Sequence, residues 1–117
     1  MTWYVTVGET EPRAAEGLQD IESAVRSVPK GESEFFVVEP VPDSEDSFVQ
    51  ASVWTEGIAL GTSYVAEVRM PSGDGFRQWR LRTKRFEDIE SAVLAYMDGE
   101  APSGAPWVDV TDEFTDS

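Results

Sequence analysis

Residues 62–82 leave the backbone little choice. Two runs of alternating residues, 62–70 and 76–82, flank Pro71-Ser72-Gly73-Asp74-Gly75, a cluster of turn formers that folds a chain back on itself. The register follows from the side chains. With Pro71 opposite Phe76, Val68 meets Trp79 and Ala66 meets Leu81 on one face, while Glu67 meets Arg80 and Arg69 meets Gln78 on the other. A slip by one residue would put Arg80 among apolar side chains, because strand side chains alternate between faces. The segment therefore reads as an antiparallel hairpin with one buried and one polar face.

The rest of the chain supplies material to cover the buried face. Trp3, Val5 and Val7 alternate with Tyr4 and Thr6 up to Gly8, which predicts a half-buried strand. Thr10 or Glu11 can cap a helix that has Pro12 in its first turn. Ala14, Leu18, Ile21, Val25 and Val28 then recur at spacings of four and three before Pro29, which predicts an amphipathic helix of roughly four turns. Residues 34–39 are apolar enough for an interior strand, and Pro40 and Pro42 end it. Residues 47–54 form the next strand, with Val49, Ala51 and Val53 on one face and Phe48, Gln50, Ser52 and Trp54 on the other.

After the hairpin, Phe86, Ile89, Val93 and Met97 stripe a second helix with Tyr96 at its edge. Glu87 and Asp88 suit its N-terminal dipole and Gly99 is its stop. Trp107–Val110 adds a last short strand. The order β-α-β-β-β-β-α-β predicts an α+β fold: a mainly antiparallel sheet of about five strands with two amphipathic helices packed on one face. The 117 residues suit one domain spanning 1–117, with an acidic tail over about 111–117 predicted to be flexible. Asp-Ile-Glu-Ser-Ala-Val occurs at 20–25 and again at 88–93, but the flanks do not match. Amphipathic helices draw on few residue types, so we read this as recurring helix composition and not as a duplication.

Residue content excludes much chemistry. The chain has no His and no Cys, so neither a Ser-His-Asp or Cys-His centre nor a His/Cys zinc site can be built. Gly57, Gly61, Gly73 and Gly75 fall in turns between strands and not before a helix, unlike a phosphate-binding loop. Asp43-Ser44-Glu45-Asp46 lacks the spacing and central Gly of a calcium loop. Abundant carboxylates could in principle pair for acid–base work, but Glu67 already has a structural role as the cross-strand partner of Arg80. The expectation is a protein that is not an enzyme and uses no cofactor or metal.

Charge points to the class of partner. Nine Lys and Arg face 23 Asp and Glu, a net charge of −14. That balance disfavours nucleic acid and anionic membranes and favours a basic protein. The basic residues are also concentrated: Arg77, Arg80, Arg82, Lys84 and Arg85 lie between 77 and 85. No apolar run reaches the ~20 residues of a membrane span. The first residues show neither the basic start nor the small-residue cleavage site of a leader, so a cytoplasmic location is expected.

The sheet face turned away from the helices would carry Phe48, Trp54 and Phe76 among Arg, Glu and Gln, the mixture that supplies interface energy. These three are the first candidates for partner binding. The acidic loop with Asp43, Glu45 and Asp46 is the second, because it would speed encounter with a basic partner. The same face would also serve contact between two copies of the chain.

Residues 47–110 carry a family resemblance. Phe48-Val49-Gln50, Gly61-Thr62-Ser63-Tyr64-Val65-Ala66-Glu67-Val68-Arg69, the stretch from Phe86 through Tyr96-Met97-Asp98-Gly99, and Trp107 resemble the first-numbered immunity protein family of bacterial polymorphic toxin systems. That family has a strand with a Gln, a Tyr-x-x-Glu strand, a helix ending near Tyr-x-x-Gly, and a late Trp. Val68 stands where the family often has an aromatic, and residues before 47 match only in layout. The resemblance implies an α+β immunity protein that binds a cognate toxin, a nucleic-acid deaminase, and blocks its active site without catalysis. Three other uses of such a domain are an acidic regulatory or accessory subunit for another basic protein, a nucleic-acid mimic, and a small-ligand binding domain.

Overall fold

The computed structural model describes residues 2–55, 62–104 and 106–114, with the backbone alone described at Trp54, Thr55 and Thr62. Among the described residues, seven strands form one antiparallel sheet in the order β2-β1-β3-β4-β5-β6-β7. They are β1 (Tyr4–Val7), β2 (Arg13–Ala14), β3 (Phe35–Glu39), β4 (Phe48–Thr55), β5 (Thr62–Ser72), β6 (Gly75–Thr83) and β7 (Val108–Asp109). Helix α1 (Leu18–Arg26) lies between β2 and β3 in sequence, and α2 (Phe86–Met97) between β6 and β7.

The hairpin has the register its charges dictate: Val68 opposite Trp79, Ala66 opposite Leu81, Glu67 opposite Arg80 and Arg69 opposite Gln78. Pairing runs one step further than the alternation requires, to Ser72 opposite Gly75. That leaves the two-residue turn Gly73-Asp74, and Gly73 takes φ +56, the geometry a tight hairpin asks of its first turn residue.

One face of the sheet is covered by both helices. Val5, Phe36, Val38, Val49, Ala66 and Val68 are sealed there. Ile21, Ala24 and Val25 of α1 and Ile89, Ala92 and Val93 of α2 point into the same core. The two Asp-Ile-Glu-Ser-Ala-Val segments thus place the same three residue types inward, as an apolar stripe demands. Their surroundings differ: the strand after α1 pairs with β1, the first strand of its hairpin, and the strand after α2 pairs with β6, the second of its own.

Three details depart from the sequence reading. The sheet has seven strands among the described residues, roughly the about five expected, and the unforeseen one is the two-residue edge strand β2. The first helix begins at Leu18 and not near Pro12. Ala14 pairs with Tyr4 instead, Ala15 N–H donates to the Trp3 carbonyl at 2.8 Å, and Gly17 at φ +141 turns the chain into the helix. The Arg13 guanidinium grips both oxygens of Asp20 at 2.6 and 2.7 Å, which ties β2 to the first turn of α1. Finally, Tyr96 is not at an edge but buried, tilted 56° against Trp3 at 5.4 Å and sharing a 2.6 Å hydrogen bond with Ser47.

Candidate binding face

Among the described residues, the other sheet face carries neither α-helix. Its central rung runs Thr6–Val37–Gln50–Glu67–Arg80–Val108 across six strands. A second rung sets Phe48 beside Arg69 and Arg69 beside Gln78.

Gln78 organises the β5–β6 half. Its side chain is only 1 % exposed although it lies on the uncovered face. Its Oε1 accepts from Arg69 Nε at 2.6 Å, and its Nε2 donates to Glu67 Oε1. Glu67 in turn faces Arg80 at 3.5 Å. A buried amide with both ends satisfied fixes its neighbours, since leaving either end unpaired would cost about 1–3 kcal/mol.

The chain beyond β7 provides the cover. The Val110 N–H donates to the Gln78 carbonyl at 2.8 Å, and the Gln78 N–H donates to Thr111 Oγ1 at 2.9 Å. Thr111–Glu113 form a short 3-10 turn. Glu113 pairs with Arg80 at 3.2 Å, and Asp109 pairs with Arg77 at 2.6 Å. Where composition suggests a loose tail from about 111, residues 111–114 are docked; residues 115–117 lie outside the described ones. Two of the clustered arginines are therefore matched by acids from the chain's own last strand and turn.

Arg69 joins the two halves. Its guanidinium lies 3.8 Å from the Phe76 ring centre, 5.0 Å from that of Phe48 and 5.3 Å from that of Phe114. Burial pushes its pKa down, while Glu67 and Asp46 push it up. Nη1 donates to the Glu45 carbonyl at 2.8 Å. The acidic loop and the aromatic face, which look like separate candidates in the sequence, are thus one continuous surface. Phe48 and Phe76 flank its central cation, the Glu45 backbone is tied to that cation, and Asp46 lies within its field. The Trp54 backbone pairs with Ser63, but its side chain lies outside the described residues.

On the β1–β3–β4 half the face is hollow. A cleft of about 430 Å³ has Thr6, Val37 and Gln50 as its floor, the 8–12 loop as one wall and the 40–47 loop as the other. Asp43, at φ +54, stands on its rim with Glu9 and Glu11. Glu39 lines it from within, and the Phe48 ring closes it toward Arg69. Sequence reasoning placed Gln50 on this face but missed Glu9, Glu11 and Glu39. Glu9 and Glu11 fell in a segment read as a helix start. The signal for Glu39 was its parity with Phe35 and Val37, which put it on the uncovered face.

No family model matches this chain, and no curated protein or solved structure does either. The motif residues of the resemblance nevertheless have definite places. Gln50 and Glu67 are cross-strand neighbours on the open face. Tyr64 packs edge-on against Phe86 at 5.0 Å, and Trp107 lies against the core. Among the described residues no group of acids could hold a metal ion, and no helix is long and apolar enough to cross a membrane.

Proposed function

We propose that this protein is an immunity-type inhibitor that grips a basic toxin with its uncovered sheet face. The observation that carries the reading is the union of an acidic cleft with an aromatic-clad arginine on the sheet face that neither α-helix covers. Aromatic and Arg side chains anchor interfaces, and a surrounding acidic field draws in a basic partner and rejects acidic ones. A toxin acting on nucleic acid must present basic groups to phosphates. An acidic, concave face can occupy those groups and shut the substrate out, with no catalytic step and no cofactor. Such an inhibitor would act in the cytoplasm of the cell that makes the toxin. The resemblance at residues 47–110 points the same way.

The test is growth rescue. A toxin-like reading frame encoded beside this gene is expressed in a sensitive cell with and without this protein. Rescue supports immunity. Continued killing at equal expression levels would replace the reading with an acidic accessory protein for some other basic partner.

A further inference from the structure

We infer that the cleft floored by Gln50 and ended by Glu39 is a receptor for a single arginine side chain of the basic partner. This deepens the binding reading above and rests on it. Glu39 is 4 % exposed, yet its carboxylate has one hydrogen bond among the described residues, from the Ser44 N–H to Oε1 at 2.7 Å, and no ion pair. A carboxylate held largely out of water is best matched by a cation that also donates hydrogen bonds. No side-chain oxygen or nitrogen sealed from solvent lacks a hydrogen bond among the described residues, so the second oxygen keeps some exposure, and Glu39 is one of the residues that line the cleft. Gln50 offers a second free group, since its amide makes no hydrogen bond among the described residues and lines both this cleft and a neighbouring hollow of about 190 Å³.

The rest of the lining selects the guest. Glu9, Glu11 and Asp43 add three carboxylates at the rim, and no described residue of the lining is Lys or Arg. Phe35 and Phe48 supply aromatic surface, which suits a flat, weakly hydrated guanidinium better than a compact ammonium. The face already holds one guanidinium in this manner. Arg69 is received by Phe rings, a side-chain amide oxygen and a backbone carbonyl, and Phe48 belongs to both places. The cleft offers related groups, rings with an amide and a carboxylate.

The experiment titrates the isotope-labelled full chain with N-acetyl-arginine amide and N-acetyl-lysine amide and follows backbone amide shifts. The expected result is saturable movement centred on Glu9, Asp43, Phe48 and Gln50, with arginine about threefold tighter than lysine. Glu39→Gln should weaken arginine about tenfold. If that variant does not fold, the exposed pair Glu9→Gln and Asp43→Asn serves, with a smaller loss. Equal binding of lysine and arginine, or shifts spread over Glu22 and Glu87 on the helix side, would overturn the proposal. Saturation in the cleft with no growth rescue would keep the receptor and remove immunity. Rescue without any arginine-induced shift would do the reverse.

Discussion

The guanidinium of Arg69 lies 3.8 Å over the Phe76 ring while its Nη1 donates to the Glu45 carbonyl at 2.8 Å. One side chain thus fastens the acidic loop to the sheet. Arg69→Ala removes the stack and both hydrogen bonds, leaving the buried Gln78 oxygen without its donor. The expected loss of stability is about 2–3 kcal/mol. Arg69→Lys keeps the charge but not the fork, and should lose about half as much. Urea unfolding measures both, and faster amide exchange at residues 44–47 in either variant would report the released loop.

Gln78→Leu tests the buried amide. Leu fills similar space but satisfies neither Glu67 nor Arg69. Destabilisation by about 2–4 kcal/mol is expected, larger than for Gln50→Leu, whose amide has no internal partner among the described residues. Equal effects of the two substitutions would show that Gln78 does not organise this half of the face.

Two ion pairs set the acid response. The hydrogen bond from Arg13 lowers the Asp20 pKa to about 2, and hydrogen bonds from Thr111 and then Arg77 lower that of Asp109 to about 2. Both lie below the ordinary 3.8 that the unfolded chain would show. Their stabilisation is complete above about pH 4 and is lost as the pH falls toward about 2. Asp20→Asn and Asp109→Asn should therefore lower the urea midpoint at neutral pH and flatten its fall on acidification. Both pairs are partly exposed, so concentrated salt should shrink the difference between variant and parent.

Burial of Tyr96 raises its pKa and joins α2 to the start of β4 through Ser47. Tyr96→Phe keeps the packing on Trp3 and loses the hydrogen bond, an expected loss of about 1 kcal/mol by thermal or urea unfolding.

What the sequence makes legible follows from periodicity. The hairpin register, the polar face and the shared α2 stripe are written in side chains that alternate sharply: Arg80 has only one tolerable face. Strand β2 is two residues long and has no period to read, and Ala14 fits a helical stripe as well as a strand. Its pairing with Tyr4 is decided by tertiary contacts and by Gly17. The candidate face was legible as a set of residues, since Phe48, Phe76 and Gln50 share parity. The cleft was not, because its walls come from loops at 8–12 and 40–47 that only the β1–β3 pairing brings to one side. The docking of Thr111–Phe114 was hidden by acidic composition; Asp109 and Glu113 find meaning only beside Arg77 and Arg80.

The most direct test of the central claim compares charge reversals on the two faces of the sheet. Glu9→Lys with Glu11→Lys alters the cleft rim, and Glu22→Lys with Glu87→Lys makes the same change in net charge on the helices. Affinity for the toxin proposed as its partner is measured for each pair, with unfolding curves to confirm the fold. The account predicts a loss of about a hundredfold for the cleft pair and little change for the helix pair. Equal losses would mean that only net charge matters, and a loss confined to the helix pair would place the partner on the covered side and contradict the account.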